Sequence, residues 1–400
     1  MKNKIAWLVL VLVFIATGLN FLDRQVLSMT IIKIQEEFHI TDVQYGWINT
    51  SFLVSYALMF TVGGRIIDTV GGKIGLGLAV LIWSIACFLH GVMQNFYQLI
   101  AFRFLLGFGE GGCFPGAAKV VYEWFDEKKR GMANGIAIGG SAIGAVLAPP
   151  LTIYVASSFG WRASFIIPAI VGMIWVVSWF LIPWKKYLGN QKEKIISNAV
   201  PFASILKNKY LWVFVSIRFL LDPVLYFLMF WVPKYLSEYR GMSFERIGDL
   251  FWIPFLALGI SNIFGGWISD KLIQRGISIN KARKWVMGIA AGLTLCAPFI
   301  AFVGSYQLAI ALLTLLLFAH GFWITNYITA ISDIFGSRAT STVVGLSGTA
   351  GALSSLLINP FIGEIVTRYS YTPLWVTAGL MYPLGFLLFL VFIPRIKALF

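Results

Sequence analysis

Charge is what this sequence has least of. Asp, Glu, Lys and Arg make up 12% of its 400 residues, against about a quarter in soluble domains, which excludes an ordinary water-exposed fold. Cysteine and histidine are scarce as well, three of each. Cys87, Cys113 and Cys296 lie within apolar runs and lack metal-ligand spacing, so no disulfide and no metal site is expected. Nothing shows the alternation of a membrane β-barrel. No nucleophile–base or metal cluster suggests an enzyme. The apolar run from Ile5, after Lys2 and Lys4, imitates a secretory signal. It lacks a small-x-small cleavage site and runs into Asp23-Arg24, so it reads as a retained helix.

Apolar length is what the chain has in abundance. Hydrophobic residues are 58% of it and the mean hydropathy is +0.81. A membrane-crossing helix needs roughly 20 apolar residues. Twelve windows qualify: 5–29, 44–66, 73–92, 97–121, 131–157, 163–183, 209–236, 245–268, 283–303, 307–334, 338–365 and 371–393. Lipid offers the backbone no water to bond, so all should be helices. The expected fold is an all-α membrane protein of twelve transmembrane helices in two six-helix bundles, residues 1–183 and 209–400. A basic, polar linker over 184–208 carries Lys185, Lys186, Lys192, Lys194 and Lys207 between them.

The net charge of +14 belongs to topology rather than to a nucleic-acid partner. With both termini placed inside, inner segments hold 21 Lys and Arg and outer segments 6, an excess that puts the termini in the cytoplasm. The halves also repeat. Gly64-x-x-x-Asp68 after the second segment returns as Gly266-x-x-x-Asp270 after the eighth, 202 residues on. Arg130 and Arg338 open the fifth and eleventh segments, 208 apart. Two features at nearly one offset point to a duplicated six-helix unit, a transporter plan with its site between the halves.

The loop Gly64-Arg65-Ile66-Ile67-Asp68-Thr69-Val70-Gly71-Gly72-Lys73 resembles the signature between helices 2 and 3 of the major facilitator superfamily, with Thr69 where a basic residue is usual. Asn20 to Arg24, Arg103 to Gly111, Phe114-Pro115-Gly116-Ala117 and Pro149-Pro150 resemble its anion:cation symporter branch. Asp222-Pro223, Phe230 to Leu236 and Asn280 to Lys284 are similar to the hexuronate transporters within it. The resemblance spans nearly the whole chain. It implies proton-coupled import of a sugar acid, such as galacturonate or glucuronate, across the inner membrane by a protein that works as a monomer. It also implies a cytoplasmic latch in which Asp68 pairs with Arg338 and Asp270 with Arg130.

Charges inside apolar segments are costly, at least ~2.5–3.5 kcal/mol each at mid-bilayer, so each is a functional candidate. Asp23 and Arg24 are adjacent and point about 100° apart on a helix, so one can face a central space while the other meets a neighbouring helix. Arg103 and Glu110, seven residues apart, share one face two turns apart. Glu110 lies among Gly107, Gly109, Gly111 and Gly112, which admit a close neighbour. Burial and a nearby guanidinium then pull its protonation in opposite senses. The run Gly107-x-Gly109-x-x-Gly112 matches a dinucleotide fingerprint, but no strand precedes it and nucleotide binding is excluded.

Arg218 and Asp222 are spaced i, i+4 and read two ways: an internally neutralised pair at a helix break, or a surface for sugar hydroxyls. Tyr56, Tyr226, Trp323 and Asn326 are candidates for reading hydroxyls and the ring face. His39, His90 and His320 have no visible carboxylate relay and read as structural. The resulting expectation is a symporter. Arg24 takes the substrate carboxylate with its bidentate fork. Arg103 helps hold Glu110 ionised, Asp23 and Glu110 carry protons, and no cofactor beyond the coupling proton takes part. Aldonates, aldarates, another organic carboxylate and a non-transporting sensor remain as alternatives.

Overall fold

The computed structural model describes every residue except 1, 41, 189–199, 233–234, 243 and 400. Lys192 and Lys194 of the linker, with Pro233 and Lys234, therefore lie outside the described residues. The first half contains α1 (Lys2–Phe38), α2 (Asp42–Val70), α3 (Gly72–Gly91), α4 (Phe96–Glu110), α5 (Cys113–Trp124), α6 (Arg130–Phe159) and α7 (Ala163–Leu181). Two short helices follow, α8 (Trp184–Leu188) and α9 (Phe202–Leu206). The second half holds α10 (Lys209–Phe230), α11 (Phe244–Leu250), α12 (Trp252–Gln274), α13 (Ile279–Leu293), α14 (Tyr306–Tyr369) and α15 (Thr372–Phe392). No strand occurs among the described residues.

Ten of these helices are long and apolar enough to cross a membrane, against twelve expected windows, and local chemistry accounts for the difference. The fourth window is broken into α4 and α5 at Gly111-Gly112. Pro115 lacks an N–H and its ring crowds the carbonyl four residues back, that of Gly111, while two glycines weaken the helix further. The tenth and eleventh windows fuse into α14, because their connection is one residue, Gly336, at φ 62° and ψ −169°. That conformation is open to glycine and strained for other residues. Pro298 likewise tightens the end of the ninth window into a 3-10 turn over Thr294–Ala301. The break expected at Asp222-Pro223 does not occur, for α10 continues through Pro223.

Two apolar cores result. One gathers side chains from Ala6 to Trp184, the other from Val200 to Ile393, with Ala118 and Ile138 of the first half joining the second. The halves meet along two seams, α2 against α14 and α6 against α12. The repeat explains their closeness. A methyl on Gly64 would strike the backbone of Ser341, and one on Gly266 would strike that of Gly131. The duplicated glycine thus opens both seams to backbone-to-backbone approach.

Candidate functional site

α1 packs against α6, α7 and α5, and its Arg24 reaches the end of α4. Arg24 donates from Nε and Nη2 to Oε2 of Glu110, at 3.1 and 2.9 Å, and from Nη2 to Oδ1 of Asn20 at 3.3 Å. Its guanidinium lies 4.4 Å from the ring centre of Tyr56, 5.0 Å from Phe21 and 5.2 Å from Phe52. These faces hold the planar cation without neutralising it. The Arg24 side chain keeps 24% of its surface accessible, whereas Glu110 is wholly buried. The Oε1 atom of Glu110 has no hydrogen-bond partner.

Asp23 turns the other way, as adjacent helical positions require, and is 1% exposed. It faces the Cys87 thiol of α3 and has Glu110 and Arg103 as charged neighbours. Its Oδ1 is unpartnered, as is Nε of Arg103. Arg103 is buried, its guanidinium 5.8 Å from the Phe52 ring. Its expected hold on Glu110 is therefore not direct, because Arg24 makes that bond. The site holds two carboxylates and two guanidiniums in one largely buried cluster, with four polar atoms left unpaired once Nδ2 of Asn20 is included.

The facing element is α10, where Arg218, Asp222 and Tyr226 share a helix face. Arg218 donates from Nε to Oδ2 of Asp222 at 2.8 Å, and its Nη2 lies 2.7 Å from the same oxygen. Tyr226 is an electrostatic neighbour of both and also of Arg24 and Tyr56 in the first half, so it links the two polar clusters. Trp323 and Asn326 depart from expectation. Trp323 is buried edge-on against Tyr382 and Phe386. Asn326 donates to the carbonyls of Gly265 and Phe322, tying α14 to α12. Trp323 serves helix packing here, while Asn326 spends its amide N–H groups on packing and keeps Oδ1 unpartnered. The buried imidazole of His320 meets the Tyr382 hydroxyl at 2.5 Å, and His90 bonds the carbonyl of Ala86 at 2.7 Å.

At the linker end of the bundles Asp68 and Asp270 do bond across the two halves, but with partners that differ from those expected. Asp68 does not pair with Arg338, which is exposed. It accepts from the backbone N–H groups of Ser341 and Thr342 at 3.2 and 2.7 Å, from the Thr342 hydroxyl at 2.7 Å, and from buried Lys119 at 3.2 Å. Asp270 does not pair with Arg130. It accepts from the N–H groups of Gly131 and Met132 at 3.2 and 2.7 Å, and from Arg283 at 2.8 Å. Arg130 instead bonds Asp333, at 2.5 Å. The cause is shared: the seam glycines bring each aspartate onto the first turns of the opposite bundle's helix, where N–H donors attract a carboxylate. The repeat predicts the symmetry, and across each seam the aspartate meets backbone N–H groups rather than Arg338 or Arg130.

Sequence reasoning passed over Lys119, Arg283 and Asp333. Arg283, counted among loop charges, is fully buried and bridges Asp270 and Asp333, with a further bond to the carbonyl of Glu127 across the seam. Asp333 closes the tenth apolar window, and that position was the available signal.

Two helical bundles with charged residues buried in the first, facing the second, are the plan of a secondary transporter. The chain belongs to the Major Facilitator Superfamily, whose family model matches residues 13–359. It is similar to a hexuronate transporter of Escherichia coli, 28% identical over 398 residues, 95% of this chain and 92% of the relative. A D-galactonate transporter of Escherichia coli is 25% identical over 415 residues, 98% and 96% of the two chains. A hexuronate transporter of Bacillus subtilis is 28% identical over 381 residues, 92% and 90%. Among solved structures, the proton:xylose symporter XylE bound to 6-bromo-6-deoxy-D-glucose matches with a TM-score of 0.77 at 14% identity, covering 99% and 98%. The first three relatives carry the names of sugar-acid transporters, and the likeness to the last supports the fold.

Proposed function

We propose that the protein imports a sugar-acid anion, a hexuronate such as galacturonate or glucuronate, together with protons. The observation that carries this reading is the bond between buried Glu110 and partly accessible Arg24. One guanidinium has two suitors, the internal carboxylate and that of the substrate. When the substrate takes Arg24, Glu110 loses its counter-ion in a site where an unpaired charge is untenable, so it must take a proton. Substrate and proton then bind together.

Asp23 is a second proton carrier, with Arg103 as its cationic neighbour. Tyr56 and Tyr226 line the place where the sugar ring would lie. One proton with one monoanion moves no net charge, and each further proton adds about 2.3 kcal/mol per 100 mV of membrane potential. Two acids therefore permit electrogenic accumulation. Residues 1–183 and 209–400 rock about this site, joined by 184–208, in the inner membrane with both termini cytoplasmic. The molecule acts as a monomer, since each chain carries both halves of the site. Asp68, Asp270 and the Arg130–Asp333 pair hold the cytoplasmic end shut.

Uptake of radiolabelled galacturonate by cells or proteoliposomes, with and without a protonophore, tests the reading. Accumulation that collapses with the protonophore is expected. Undiminished accumulation overturns proton coupling, and absence of uptake overturns the substrate class.

A further inference from the structure

We propose that the Arg218–Asp222 pair on α10 is the specificity element for the end of the substrate remote from its carboxylate, and that it selects a hydroxylated, uncharged end against a second carboxylate. The inference rests on the sugar-acid reading above and narrows it, for relatives named as hexuronate, galactonate and galactarate/D-glucarate transporters match this chain at 25–28% identity and do not separate the classes.

The geometry has three parts. Arg218, Asp222 and Tyr226 recur at i, i+4 and i+8, a single face of α10. That face is turned inward. Arg218 has Tyr226, Tyr327 and His320 among its electrostatic neighbours, and the Asp222 carboxylate sits so close to α14 that a methyl on Gly351 would overlap it. Tyr226 also has Arg24 as an electrostatic neighbour, so a molecule whose carboxylate takes Arg24 lies within reach of this face.

The chemistry follows from donor and acceptor count. Arg218 spends Nε and Nη2 on one oxygen of Asp222, and a guanidinium has five N–H donors. Its side chain is 18% accessible, so the remaining donors have a route to a ligand. Beside them stands a carboxylate that only accepts. A sugar hydroxyl gives and takes, so it can accept from Arg218 while donating to Asp222. A second carboxylate can only accept. It would bond Arg218 but face the like charge of Asp222, and the pair has no net charge with which to attract it. Arg24, by contrast, presents its cation beside aromatic faces and a carboxylate that protonation can silence.

The test is competition in proteoliposomes. Labelled galacturonate uptake is challenged with unlabelled galactonate, which ends in a hydroxyl, and galactarate, which ends in a second carboxylate. In the wild type, galactarate should compete at least roughly tenfold more weakly than galactonate. Asp222→Asn should close that gap, by strengthening galactarate roughly tenfold relative to galactonate, read as a ratio on the labelled galacturonate uptake or binding that the variant retains. Wild-type protein that binds galactarate as well as galactonate overturns the inference without needing any variant. So does a folded Asp222→Asn protein with an unchanged ratio. If no labelled sugar acid enters at all, the reading beneath it fails, and the inference with it.

Discussion

Arg24 and Glu110 make the same kind of bond as Arg162 and Glu37, yet burial gives the two pairs different consequences. Glu37 lies beyond the apolar part of α1, with a side chain 40% accessible, and accepts from Arg162 at 3.0 and 2.6 Å and from Trp161 at 2.8 Å. Those donors hold its carboxyl below the usual 4.5. Because the folded value is depressed, the stabilisation is fully present above pH 4.5 and drains away as pH falls through the lowered value. Solvent screening limits it to about 0.2–1 kcal/mol. The melting temperature of Glu37→Gln should therefore lie slightly below wild type at pH 7 and converge with it in acid. A gap that widens in acid contradicts the assignment. At Glu110 no water shares the load. Arg24→Ala should weaken galacturonate binding, read by calorimetry, by at least roughly a hundredfold, within the 2–5 kcal/mol typical of truncating a buried charge pair. Normal affinity would remove Arg24 from the site. Asp23, Arg24, Arg103 and Glu110 were legible in sequence because charge is rare in apolar segments. Which cation holds which anion was not, since that depends on which of two adjacent side chains turns toward α4.

At the scale of elements, prolines and glycines decide what apolar length does not. Apolar windows placed the helices well, but Pro115 divides the fourth and Gly336 turns the chain between the tenth and eleventh within one residue. The latch shows the limit most plainly. The repeated Gly-x-x-x-Asp marked Asp68 and Asp270 as a pair, while the backbone N–H groups that each accepts from carry no sequence signature, and Lys119 and Arg283 beside them were not singled out. Their neighbours differ, and so should the cost of losing them. Lys119 has Asp68 as its one ion-pair partner among the described residues, whereas Arg283 keeps Asp333 if Asp270 is lost. Asp68→Asn should then cost roughly 3–5 kcal/mol, the usual result of orphaning a buried charge. Asp270→Asn should cost about 1–2 kcal/mol. Thermal unfolding in detergent compares them, and equal losses would contradict the partnerships described.

For the whole molecule, duplication is the organising fact. Two six-helix units share the Gly-x-x-x-Asp element, bring it to both seams, and enclose between them a first-half cluster centred on Arg24 and a second-half face centred on Arg218. Sequence revealed the bundles and their repeat because hydropathy and loop charge act locally. It did not reveal that Trp323 and the amide N–H groups of Asn326 are spent on packing, because mid-span polar residues look alike whether they meet a substrate or a neighbouring helix. The account turns on one guanidinium passing between an internal carboxylate and the cargo's, with a proton settling the exchange. The measurement that tests this most directly compares two assays on Glu110→Gln in proteoliposomes: exchange of labelled for unlabelled galacturonate, and accumulation driven by an imposed proton gradient. Exchange that persists while gradient-driven accumulation is lost is the predicted result, and a variant that still accumulates galacturonate as wild type does would contradict it.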